Sequence, residues 1–391
     1  MNAVYLLGRC MGLSRGMNGP RQNLHSKKEA QMLKRSMIMV TCCLVSIVLF
    51  TVPALAGAPS IEKWKAKFDP SGAKYKCIVS NVSHPGIKGA YVGFAIRDEL
   101  WKRTNGQIYV DYKPFSMLGG EVEVLNQLQM GAIQGMGCSS VAAPNLGPRF
   151  GLLNLPFLIN NFDKLDKFTE SGKLFEHFMN AMDHQGIMGI DITAYGSYGW
   201  ATTNPVDSLA GIRREKLRIA EAAVNQLTYK SWGLNPIPMP WPDVPVALKQ
   251  GVITALDHTP LVCQLTGKFA TVKNYTHVEY AQGAFIWIFN KAWMNKLPAD
   301  LRETFIEVVH EVCQTLRKEA RGQEAVMISA AEEKNGVTFH RLSPQTQDVL
   351  RKKGDAVHKE YAPQINKVYK GDAYQPDNYL KEVQEYMGYK P

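Results

Sequence analysis

Apolar and polar positions alternate along this chain in short runs, and most runs are followed by a stretch in which apolar residues recur every three to four positions. Lys76-Cys77-Ile78-Val79-Ser80 predicts a short strand. Residues 91–104, with Phe94, Ile96, Leu100 and Trp101, predict a helix that Gly106 breaks. Ile108-Tyr109-Val110-Asp111-Tyr112 then alternates as a strand. Residues 121–130 return to helical spacing through Val124, Leu125 and Leu128, and Gly131 supplies the stop before a further short strand over 133–138. This order predicts an α/β fold of mixed sheets flanked by helices. Residues 298–334 carry a helical pattern with few breakers, one long helix or two in series. The Tyr- and Lys-rich tail after Tyr361 is expected to pack loosely.

The front of the chain has a different pattern. Lys34-Arg35 precede an apolar run of 15 residues, Ile38 to Val52, and Ala54-Leu55-Ala56 adds small residues before Gly57. Basic start, apolar middle and small-residue cut predict a cleavable signal peptide, with the run short for a membrane span of about 20 residues. Residues 1–56 are therefore expected to be removed, with Met32 or Met37 as alternative starts, and the product to be periplasmic. That segment holds 7 Lys/Arg and 1 Asp/Glu, so 38 against 34 remain, net +4 instead of +10. No basic tract interleaved with aromatics is left, and nucleic-acid binding loses support.

Four cysteines follow the leader, Cys77, Cys138, Cys263 and Cys313, far apart and without C-x-x-C spacing, which argues against zinc. Disulfides or buried thiols are both open. His177 and His184 are seven apart beside Glu176 and Asp183, but a third metal ligand is missing, so they read as solvated surface residues. The G-x-S-x-G, G-x-G-x-x-G, P-loop and H-E-x-x-H patterns are absent. No catalytic residue, cofactor or metal is expected. The mature length, about 335 residues, exceeds one ordinary core and predicts two lobes.

Arg218 carries the clearest chemistry. It sits directly between Leu217 and Ile219 in an apolar, strand-like run, and a guanidinium there is costly to bury unless an anion answers it. Its planar fork suits a carboxylate through two parallel hydrogen bonds. Arg218 is thus either a ligand clamp or an arginine snorkelling to a nearby Asp or Glu.

Several motifs, in order from Lys76 to Gly336, give the chain a family likeness. They are Leu118-Gly119-Gly120-Glu121, then Leu125-x-x-Leu128-Gln129-x-Gly131-Ala132-Ile133, then Asn154-Leu155-Pro156-Phe157-Leu158. Thr203-Asn204-Pro205, Lys216-Leu217-Arg218-Ile219, residues 247–253, Asn290-x-x-Trp293 and Leu297-Pro298 follow. The chain resembles the DctP-type solute-binding proteins of tripartite ATP-independent periplasmic (TRAP) transporters. The resemblance implies a two-lobed, hinged binding protein: lobe I from 57–195 with about 284–325, lobe II from 196–283 with about 326–391, hinges near 195–197 and 282–285. It implies that Arg218 pairs with a ligand carboxylate and that Trp241 packs over the ligand, or else covers the hinge. Glu221 and Ser140 fall at neighbouring pocket positions, and Asp257 and His258 are pocket candidates that could equally be structural. Implied partners are a small organic acid and the small and large membrane subunits of the transporter.

One departure narrows the ligand. Many relatives for dicarboxylates or sialic acid carry a second arginine shortly before the Thr-Asn pair, where this chain reads Tyr195-Gly196-Ser197-Tyr198-Gly199-Trp200. Aromatics dominate instead, with Tyr198 and Trp200 as candidate contacts and Phe285 and Trp287 further along, any of which could be ordinary core. The expected ligand is a monocarboxylate with an apolar or aromatic remainder, such as a 2-oxo or aromatic acid. A sensory binding protein for a membrane receptor, and a periplasmic lyase using His258 and Asp257, are the alternatives.

Overall fold

A computed structural model describes residues 61–370 and 372–390, and the expected leader, 1–56, lies outside them. From Trp64 onward the chain forms one unit built on two mixed sheets. The first holds β1 (Tyr75–Ser80), β2 (Ile108–Lys113), β3 (Gly135–Ser139), β4 (Ile187–Ser197) and β10 (Gln282–Asn290), in the order β2-β1-β3-β10-β4. The second holds β5 (Gly199–Thr202), β6 (Leu217–Ile219), β7 (Ile237–Pro238), β8 (Ala255–His258), β9 (Asn274–His277) and β11 (Thr338–Arg341), in the order β11-β9-β5-β8-β6-β7.

Local pattern explains these elements. In β2 the buried residues are Ile108, Val110 and Tyr112, one face of a pleated strand. The helix Lys88–Arg103 covers that face with Phe94 and Leu100, and Tyr112 donates its hydroxyl to the Ala90 carbonyl at 2.6 Å. Strand β10 is buried along its whole length, as a central strand flanked on both sides should be. It runs antiparallel to both neighbours, so Phe285 sits opposite Ser139 on one side and Thr193 on the other.

Two crossings join the sheets. The chain leaves β4 at Ser197, passes Tyr198 and enters β5 at Gly199; it returns from His277 through 278–281 into β10. The crossings are bonded to each other, Tyr198 N–H to the Ala281 carbonyl at 3.0 Å and Glu279 N–H to the Tyr198 carbonyl at 2.9 Å. A third link is the helix Ala299–Asn335, a single helix of 37 residues. It buries Phe305, Val309 and Leu316 along the first lobe and Ala331 in the second lobe's core.

Packing corrects two expectations. The tail is not loose, and its last helix does not belong with lobe II. The helix Tyr379–Met387 buries Tyr379, Leu380, Val383 and Met387 in the first lobe's core, and the Tyr379 hydroxyl bonds the Leu174 carbonyl at 2.5 Å. Behind it, Arg149 and Asp372 form an ion pair at 2.8 Å in which both side chains are at most 4% exposed. His177 is buried too, with its ring on Tyr379 and its pKa pushed down to about 4 by burial, so it is not the solvated histidine the pattern suggested. Cys77, Cys138, Cys263 and Cys313 are four separate buried thiols. Among the described residues no helix is long and apolar enough to cross a membrane.

Candidate functional site

Both lobes and one crossing contribute to a single small cavity. Glu121, Ser139, Tyr195 and Phe285 come from the first lobe, Arg218, Trp241, Asp257 and His258 from the second, and Tyr198 lies on the crossing between them. It leaves about 30 Å³ for the centres of water-sized molecules, space for roughly two or three waters. Arg218 is the cation among its lining residues.

Strand β6 holds Arg218 between Ile237 of β7 and Leu256 of β8, and the side chain is 4% exposed. Its Nε and Nη2 donate to the Met239 carbonyl at 2.9 and 2.5 Å. Among the described residues no carboxylate comes within ion-pair distance of it, and its Nη1 has no hydrogen-bond partner among them. Burial presses its pKa down, opposed by Asp257, Tyr198, Glu121 and Glu221, yet a guanidinium stays charged.

Trp241 stands beside this group with its ring centroid 5.6 Å from the Arg218 Cζ and 4.6 Å from the His258 ring. The Lys268 Nζ lies 4.5 Å from the same indole. Burial holds that lysine down to about 8. An indole between two cations is attracted to both through its negative face. His258 accepts the Thr259 N–H at its Nδ1, 2.9 Å away, so Nε2 carries the ring proton as a donor. Burial and the charges of Arg218 and Lys268 keep the ring neutral, well below its ordinary value.

Two acids complete the lining. Glu121 opens the helix Glu121–Gln129 and accepts the Ser139 N–H and hydroxyl, one at each oxygen, both at 2.8 Å. Burial raises its pKa, opposed by those bonds and by Arg218. Asp257 is 3% exposed and accepts the Tyr280 hydroxyl at 2.7 Å. Burial pushes it up to about 7, against hydrogen bonds from Tyr280 and Tyr229 and the Arg218 charge. The hydroxyls of Tyr195 and Tyr198 bond each other at 2.7 Å.

Of the residues expected from sequence, Arg218, Trp241, Tyr198, Asp257 and His258 line this cavity. Trp200, Ser140 and Glu221 do not. Trp200 is fully buried one layer behind, its Nε1 donating to the Tyr229 hydroxyl at 3.0 Å. Ser140 is fully buried, and its carbonyl accepts the Asn154 amide at 2.5 Å. Glu221 is exposed in an outer groove with Gly119, Pro240 and Asp243. Glu121 and Ser139 were missed as site residues. The Gly119-Gly120-Glu121 motif was the available signal for the first, but a glutamate in a helix's first turn has an ordinary electrostatic explanation. Among the described residues no group of three or more His, Cys, Asp or Glu is placed to hold a metal.

A family profile for bacterial extracellular solute-binding proteins, family 7 (DctP), matches residues 81–364. The C4-dicarboxylate-binding periplasmic protein DctP of Rhodobacter capsulatus is 27% identical over 327 residues, 80% of this chain and 93% of that protein. The 2,3-diketo-L-gulonate-binding periplasmic protein YiaO of Escherichia coli is 27% identical over 226 residues, 56% of this chain and 67% of that protein. A TRAP periplasmic solute-binding protein from Desulfovibrio salexigens, solved with bound orotic acid, superposes with a TM-score of 0.73 at 17% identity, covering 81% of this chain and 99% of that one. Another from Sulfurospirillum deleyianum, solved with bound succinate, gives 0.70 at 23% identity, covering 80% and 99%. These two likenesses establish the fold.

Proposed function

The chain belongs to the bacterial extracellular solute-binding proteins of family 7, and on that premise we propose that it is a periplasmic TRAP receptor whose ligand is a small monocarboxylate. It is a binding protein and not an enzyme, so the lyase reading of Asp257 and His258 falls away. The observation that carries the reading is Arg218: a buried guanidinium in an interlobe cavity, half-satisfied by the Met239 carbonyl and without an acidic partner among the described residues. A ligand carboxylate is the natural answer to its free donors.

Charge argues against a second carboxylate on the ligand. Relatives are named for C4-dicarboxylates, and one was solved with succinate, but here the rest of the lining offers Glu121, Asp257, a neutral His258 and aromatic rings. A second anion placed near two acids finds no further cation among the lining residues to neutralise it. The narrow cavity favours a remainder of a few heavy atoms, which fits a short 2-oxo acid better than an aromatic acid. Capture then proceeds by closure. Arg218 belongs to the second lobe, so contacts from the first lobe, Ser139, Tyr195 and Phe285, must make the closed state the better binder. The leader and the membrane subunits of a TRAP transporter complete this reading.

Calorimetry of the purified protein against 2-oxobutanoate, butanoate, benzoate, succinate, galacturonate and orotate tests it. The short monocarboxylates are expected to bind and succinate to bind at least about tenfold more weakly. Tighter binding of succinate than of any monocarboxylate would overturn the ligand class.

A further inference from the structure

His258 brings one unspent donor to the cleft. Its Nδ1 accepts the Thr259 N–H at 2.9 Å, so the ring proton sits on Nε2, on the side of the imidazole far from the backbone. Nδ1 can accept only while the ring is neutral, because both nitrogens of a charged ring carry protons. Among the described residues Nε2 has no hydrogen-bond partner, and it is not sealed from water. The imidazole lines the cavity, and so do the rings around it: Trp241 at 4.6 Å, Tyr198 at 5.7 Å and Tyr195 at 6.0 Å between centroids. Strand register sets it beside the anchor. β6 and β8 run parallel with Arg218 level with Leu256, so Arg218 shares a face of the sheet with Leu256 and with His258 two residues further on. The Trp241 indole spans the two, 5.6 Å from the Arg218 Cζ on one side and against the imidazole on the other.

We propose that His258 is a specificity residue of the cleft: its Nε2–H donates to an accepting oxygen at C2 of the acid whose carboxylate Arg218 holds. The inference rests on the reading of Arg218 as the carboxylate anchor. A cavity with space for roughly two or three waters keeps any second polar group of the ligand within a bond or two of the carboxylate. A fixed donor there is matched by a 2-oxo oxygen and left bare by a methylene. A plain alkyl acid of the same length desolvates the N–H and returns nothing to it, whereas a 2-oxo acid replaces the lost hydrogen bond.

The surroundings agree with a neutral donor. Burial, with the charges of Arg218 and Lys268, lowers the pKa of the ring, so it keeps a single N–H beside the guanidinium. Two other uses of the imidazole leave different signatures. If Nε2–H shared the carboxylate with Arg218, every monocarboxylate would depend on it alike. If the ring served only as a wall against Trp241, a carbocyclic ring would replace it without changing the choice of ligand.

The test is calorimetry of the full chain with 2-oxobutanoate and with butanoate. Wild type should bind 2-oxobutanoate at least about tenfold tighter than butanoate. His258→Phe keeps a ring against Trp241 and removes the donor, so the two acids should come within about twofold of each other while butanoate affinity holds within about threefold. His258→Gln, whose amide nitrogen reaches the place of Nε2, should keep a preference of about fivefold or more, and the shorter His258→Asn should lose it. Should His258→Phe fail to fold, as its thermal unfolding would show, the contrast between Gln and Asn decides the matter. A preference that survives in both His258→Phe and His258→Asn, an equal loss of both acids in a folded His258→Phe, or a wild type without the preference overturns this inference and leaves the anchor standing. Binding of neither acid by wild type overturns both.

Discussion

A guanidinium with two of its donors on a backbone carbonyl is already oriented before any ligand arrives. That is the state of Arg218, whose Nε and Nη2 share the Met239 carbonyl and whose aliphatic stem lies in a buried strand. A lysine there could reach the same region but could not hold the carbonyl and grip both oxygens of an acid at once. Arg218→Lys should therefore weaken monocarboxylate binding by about 10- to 100-fold, the loss of one charge-assisted hydrogen bond. Calorimetry reads this directly, and an affinity within twofold of wild type would remove Arg218 from the anchoring role. Arg218 was legible because a charge between Leu217 and Ile219 breaks an apolar run and asks for a reason. Ser140 and Trp200 lie outside the cavity lining. At a strand end a shift of one residue changes the face, so Ser139 lines the cavity while Ser140 does not, and nothing in a single sequence fixes that register.

Whole elements were easier to read than their packing. The strands over 75–80 and 108–113 and the helices Lys88–Arg103 and Ala299–Asn335 follow from period-two and period-3.6 spacing that tertiary contacts do not contradict. The tail was not legible, because its anchor is an ion pair between residues 223 apart in sequence, Arg149 and Asp372. Asp372 also accepts the Tyr369 N–H at 3.0 Å, and so fixes the turn that delivers the final helix to the first lobe. Removing one partner of such a buried pair leaves an uncompensated charge, which costs on the order of 3–5 kcal/mol. Asp372→Ala should lower the urea midpoint accordingly while leaving ligand affinity in the surviving native fraction unchanged. A variant as stable as wild type would show that the pair does not hold the tail.

At the scale of the molecule, the two sheets are joined where Gly196 takes a φ of +101°, a conformation that side-chain-bearing residues rarely adopt, just before the chain crosses at Ser197 and Tyr198. The long helix meets this point through Glu324, whose Oε1 accepts the Ser197 N–H at 3.1 Å. The first crossing and the long helix therefore meet at one carboxyl group. Burial raises that group from 4.5 to about 7, with the Ser197 bond and His277 opposing and Glu279 adding to the rise. A carboxyl whose pKa is higher folded than unfolded prefers to keep its proton in the native state. Its stabilising contribution is complete below about 4.5 and is lost as pH rises through about 7. Asp257 contributes a slope of the same sign from the cavity. Glu324→Gln preserves an oxygen for the Ser197 N–H and removes the titration. Thermal unfolding followed from about pH 5 to pH 8 should thus show the wild type losing ground to this variant by a few degrees at the alkaline end, with the two alike near pH 5. A difference that stayed constant across that range would mean that the crossing does not feel the charge on Glu324.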